Sequence, residues 1–212
     1  MAPNPKSVLI EEKWNAYSHG LGILLSILGF IFFLQKDLNR EPFLLKSIVA
    51  YGISLILLFT ASTLYHAVQN PKIKRKLRVV DHISIYYLIA GTYTPVCLLL
   101  LEDSKGWLLF YMVWSIALLG TILKIFFTGK FEVFSLILYG VMGWLIVLDY
   151  DGLMERVSGE DLLWLALGGA FYTIGILFYA IRKIPFNHFI WHLFVLGGAI
   201  SHWVFIQRLF FA

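Results

Sequence analysis

A helix rises about 1.5 Å per residue, so roughly 20 consecutive apolar residues are needed to cross the hydrocarbon core of a bilayer. This chain supplies that length seven times, at about 16–35, 45–68, 79–101, 107–127, 132–149, 162–181 and 187–208. The breaks between the runs are short and polar: Lys36 to Pro42, Gln69 to Arg78, Glu102 to Gly106, Thr128 to Lys130, Tyr150 to Asp161, and Arg182 to Phe186. None is long enough to separate domains, and in lipid every backbone amide has to be satisfied within its own segment. The pattern predicts an all-α membrane protein, a seven-helix bundle forming a single domain over residues 1–212. Composition agrees. The 212 residues are 59% hydrophobic and 14% charged, against about half apolar and a quarter charged in a soluble domain. The fifth run is short and the fourth carries Lys124, so these two have the least sharply drawn limits.

Orientation is read from lysine and arginine, which gather on the cytoplasmic side. A cytoplasmic N-terminus puts Lys6, Lys13, Lys72, Lys74, Arg75, Lys76, Arg78, Lys124, Lys130, Arg182 and Lys183 inside, leaving Lys36, Arg40, Lys46, Lys105, Arg156 and Arg208 outside. The acidic connection with Asp149, Asp151, Glu155, Glu160 and Asp161 then falls outside, and so does the C-terminus. The first 16 residues carry Glu11, Glu12 and Lys13, and the run that follows has no small-residue cleavage pattern. It is therefore expected to remain as a span of a multi-pass inner-membrane protein. Cys97 is the only cysteine, which excludes an intramolecular disulfide and a cysteine-based zinc site. No basic patch interleaved with aromatics points to nucleic acid.

On this topology the polar residues inside the runs collect at one level. His19 enters near the cytoplasmic face, His66 ends the second run, Asp81 and His82 open the third, and His188 and His192 open the seventh. Ionisable groups within a membrane segment are expensive and tend to face the bundle interior, where they mark a site. His188 and His192 are four residues apart, so on a helix their rings share a face at a spacing that can grip one ion. His66 would complete three nitrogen ligands. Three protein ligands with an open fourth position characterise a catalytic zinc, although copper, iron and nickel also accept imidazole. Asp81 would orient a histidine or act as base for water. Ser62, one turn deeper than His66, could donate to the water or to a substrate carbonyl. His19 could contact the ligands from behind, or cap and anchor its helix. His82 is read as interfacial. His202, ten residues beyond His192, lies about 15 Å deeper and cannot bind the same ion; it fits a polar cavity or an interhelical hydrogen bond. Gly91 to Pro95, Gly168-Gly169 and Gly175 read as close helix packing with a proline kink. The Lys72–Arg78 cluster reads as a contact for anionic headgroups.

At these residues the sequence resembles the progestin and adipoQ receptor superfamily, and within it the bacterial hemolysin III branch. Ser62-Thr63-Leu64-Tyr65-His66 fits SxxxH at the end of the second span. Asp81 opens the third span, and His188-Phe189-Ile190-Trp191-His192 fits HxxxH at the start of the seventh. Glu12-Lys13-Trp14-Asn15-Ala16-Tyr17-Ser18-His19-Gly20 is similar to the opening motif of the branch. The likeness runs through the whole chain in order, without the long N-terminal extension of the eukaryotic receptors, which favours the bacterial branch. It implies a seven-helix bundle with a cytoplasmic N-terminus and a Zn²⁺ held by His66, His188 and His192, with Asp81 and Ser62 close by. Eukaryotic members are linked to ceramide hydrolysis, the wider superfamily includes alkaline ceramidases, and the branch takes its name from lytic activity.

Two functions follow. One is a zinc-dependent hydrolase of lipid amide or ester bonds, ceramidase-like. The other is a non-catalytic receptor, lipid-homeostasis sensor or pore in which zinc only clamps helices. Both make membrane lipid the substrate or ligand, and both leave oligomerisation open.

Overall fold

The computed structural model describes residues 5–181 and 183–211, with side chains from Ser7 onward. Arg182 and the side chain of Lys6, which enter the orientation argument, lie outside the described residues. Among the described residues every regular element is helical: α1 (Pro5–Leu34), α2 (Leu44–Ala67), α3 (Pro71–Pro95), α4 (Gly106–Phe127), α5 (Glu132–Gly143), α6 (Tyr150–Met154), α7 (Gly159–Ala180) and α8 (Asn187–Phe211). A π turn, Val96–Leu100, prolongs α3, and a 3-10 segment, Leu145–Asp149, joins α5 to α6. Among the described residues seven helical units are long and apolar enough to cross a membrane, with Glu132–Met154 counting as one. The expected bundle is the one found.

The boundaries differ where charge conceals helix. α3 begins at Pro71 rather than near residue 79. The Asn70 side chain accepts from the backbone N–H groups of Lys72 (3.0 Å) and Ile73 (3.2 Å), and Pro71 suits the first helical position. Lysine and arginine lower hydropathy but favour helix, so the basic cluster forms its opening turns. α1 likewise starts at Pro5 rather than near residue 16, taking in Glu11, Glu12 and Lys13. The fifth unit runs past 149, to Met154, after its 3-10 break. Tyr93 satisfies that break: its hydroxyl donates to Gly143 O (2.9 Å) and accepts from Ile146 N–H (2.8 Å). Asp149 pins the break to the α3–α4 turn by accepting from Ser104 Oγ (2.7 Å) and Lys105 N–H (2.9 Å). Lys124 does not interrupt α4. It is 1% exposed and turned inward, 3.3 Å from Glu132 of α5.

α3 runs between α2, α4 and α5, while α1 packs on both α2 and α8, and α7 packs on α8. Gly91 lets α3 approach Ser54 and the Ala50 carbonyl of α2, and Gly168 lets α7 lie against the His202 ring of α8, as small residues do in membrane helices. Proline cannot donate the next helical hydrogen bond, and the chain passes into its π turn directly after Pro95. Because α1 lies between α2 and α8, its opening turns meet the start of α8 beside the end of α2.

Candidate metal centre

The C-terminal turn of α2 and the first turns of α8 bring His66, His188 and His192 together. One ring nitrogen from each lies within 4.8 Å of the others. The ring centroids are 5.0 Å apart for His66–His188, 4.9 Å for His66–His192 and 4.8 Å for His188–His192. Nitrogens about 2.1 Å from a shared zinc are at most about 4.2 Å apart, so the rings need draw in only slightly to hold one ion. His66 and His192 are buried and His188 is half-buried. The Nε2 atoms of His66 and His188 are buried with no hydrogen-bond partner among the described residues. Orphaned buried nitrogens of this kind are rare and require a reason, and convergent imidazoles suit a transition-metal ion. The residues fit the group.

The opposite ring nitrogens are engaged by α1. His66 Nδ1 is 3.3 Å from Glu12 Oε2. His192 Nδ1 is 3.2 Å from Asn15 O and 3.4 Å from Ser18 Oγ. The backbone N–H of His188 donates to Glu11 Oε1 at 3.2 Å, placing an anion at the positive end of α8. Asn187 holds the junction from the other side, donating to Phe178 O (3.2 Å) and Tyr179 O (3.3 Å) at the end of α7. Lys74 pairs with Glu12, donates to Tyr65 O at 3.1 Å and stands over the Tyr65 ring. Arg78 pairs with Glu132 at 3.3 Å. Two members of the basic cluster are therefore turned to protein acids and not to headgroups alone. Glu11, Glu12 and Lys74 were not recognised from the sequence as parts of the site. Polar residues ahead of an apolar run look like an ordinary solvated flank, and only the glutamate in the opening motif hinted otherwise.

His19 is 3% exposed and stacks on His192, with centroids 3.6 Å apart and planes 12° from parallel. It belongs to the cluster as a packing partner of a candidate ligand, outside the converging set. Asp81 and Ser62 stand side by side, and both line a partly open cavity of about 120 Å³ that also touches His19, His188 and His192. Its walls are largely apolar, with Leu58, Ile85, Leu136 and Val195 among them. His82, expected at the interface, is buried (8% exposed). Its Nδ1 donates to Arg78 O at 2.7 Å and its Nε2 lies 3.8 Å from Glu132. The hydrogen bond to the backbone one turn back holds the ring within the bundle. Of the two readings offered for His202, the interhelical hydrogen bond is the one found, Nε2 donating to Leu165 O of α7 at 3.3 Å; the cavity that its side chain also lines is largely apolar and not polar.

Comparisons with known proteins agree in extent with this architecture. Residues 8–203 match the family described as "Haemolysin-III related". The chain is 43% identical over 192 residues to the hemolysin-3 homolog of Bacillus subtilis (strain 168), covering 90% of each chain. It is 41% identical over 190 residues to hemolysin-3 of Bacillus cereus, covering 89% of this chain and 87% of that one. With the human monocyte to macrophage differentiation factor the identity is 31% over 217 residues, covering 96% and 86%.

Proposed function

Because the chain belongs to the haemolysin-III-related family of multi-pass integral membrane proteins, we propose that its buried histidine cluster holds zinc and hydrolyses an amide or ester bond of a membrane lipid. The observation that carries this reading is the convergence of three imidazoles, two of which, His188 and His192, line an apolar cavity together with Asp81 and Ser62. His66, His188 and His192 would hold the ion, which when bound supplies Lewis acidity to a carbonyl and acidifies water. Asp81 would take the proton from water, and the Ser62 hydroxyl, beside it, would keep the carboxylate aimed or donate to the carbonyl oxygen. The apolar walls would receive an acyl chain and exclude bulk water. With the orientation read from the basic residues, the reaction would lie at inner-leaflet depth, and a plasma-membrane location fits the bacterial relatives. The test is zinc content of purified protein together with fatty-acid release from ceramide-like lipids. Wild type should contain about one zinc and release fatty acid, and His192→Ala should lose both. Release that survives removal of the metal would end this reading.

One observation favours a second role. α2 and α8 each pack on α1 more than on one another, so an ion bound by His66 and the α8 pair would brace helices that are otherwise joined indirectly. If bracing is the whole function, His188→Ala lowers thermal stability and no metal-dependent turnover exists to be lost.

A further inference from the structure

We infer that α1 is the positioning arm of this centre: Glu12, held by Lys74, orients His66, and Asn15 orients His192, so that both rings present Nε2 to the same ion. The inference rests on the metal reading above.

The ring nitrogens argue it. Asn15 O can only accept, so His192 Nδ1, 3.2 Å away, carries the hydrogen and leaves Nε2 with its lone pair. Glu12 Oε2 imposes the same tautomer on His66 from 3.3 Å, and the His66 Nε2 is the buried atom with no partner. The Asn15 Nδ2 lies 3.5 Å from the same ring nitrogen, a longer contact than that of the carboxylate. Lys74 answers the charge of Glu12 and ties it to the end of α2 through Tyr65 O. A carboxylate or carbonyl behind a ligating histidine fixes ring orientation and raises ligand basicity, and losing it weakens metal affinity about 10–100-fold.

The experiment uses full-length protein in detergent. It measures zinc affinity by chelator competition, the visible spectrum of the cobalt(II)-loaded protein, and the melting temperature of the metal-free protein. Glu12→Leu should bind zinc about 10–100-fold more weakly and alter the cobalt spectrum. Glu12→Gln, which keeps an acceptor, should recover most of the affinity, and Lys74→Met should fall between. A merely structural Glu12 would lower the metal-free melting temperature and leave affinity unchanged. Affinity for Glu12→Leu within about twofold of wild type, while His66→Ala loses zinc, overturns the positioning role alone. Wild type and His66→Ala that both fail to bind zinc overturn the metal reading and this inference with it. Should Glu12→Leu not fold, wild-type affinity in both Glu12→Gln and Lys74→Met is the overturning result.

Discussion

Glu132→Gln removes one negative charge from the most deeply buried ion pair described here and nearly preserves its shape. Lys124 is 1% exposed and its ammonium sits 3.3 Å from Glu132 Oε2, while the other carboxylate oxygen accepts from Gly129 N–H at 2.9 Å and from Arg78 at 3.3 Å. Breaking a buried pair by neutralising one partner costs about 3–5 kcal/mol, because the remaining charge is left without an answer. The Arg78 side chain is 40% exposed, so water replaces its share at little cost. The other single change is milder. Lys124→Met leaves Glu132 with the Gly129 amide, Arg78 and His82, and should cost under about 2 kcal/mol. The double variant should resemble Lys124→Met, so the coupling in the double-mutant cycle should equal the Glu132→Gln cost, about 3–5 kcal/mol. Unfolding in mixed micelles of rising SDS fraction, followed by tryptophan fluorescence, measures all four proteins. Equal losses for the two single variants, or a double variant equal to their sum, would refute the reasoning that burial and not mere proximity sets the energy.

Asp81→Asn should abolish lipid hydrolysis while leaving zinc content near wild type, since Asp81 lies beside the converging imidazoles rather than among them; activity retained within about tenfold, on the scale of general-base effects, would remove it as the base. Lowering the pH should release the metal, because protons compete for the imidazole lone pairs and binding requires them free. Zinc retention measured after dialysis at stepped pH should fall as acid is added and recover on neutralisation, and retention unchanged at acid pH would argue against imidazole ligation.

The seven helices were legible because apolar length is a coarse signal that survives local exceptions. The histidine set was legible because His188 and His192 declare themselves by spacing, and His66 by its level in a neighbouring span. What stayed hidden was pairing between distant charges. Hydropathy counts Glu12, Lys74 and Lys124 as departures from membrane character, yet the fold sets Glu12 against Lys74 and Lys124 against Glu132, so that each is accommodated at or within the bundle. The early starts of α1 and α3 have the same origin, since those opening turns carry the charges that make the contacts. For His82, read as interfacial, depth along the chain gives the level of a ring but not whether it faces lipid or the bundle, and the fold buries it.

The candidate centre also has a consequence in time. Glu11 meets His188, and Asn15 meets His192, across 177 positions of chain, so the ribosome delivers the earliest and latest contributors on the order of 10–35 s apart at about 5–20 residues per second. Until the final segment inserts, the nascent protein holds an incomplete ligand set, and premature termination anywhere ahead of His188 leaves a species unable to assemble it. Maturation of the cluster is therefore a built-in report that translation has reached the opening turns of the last helix.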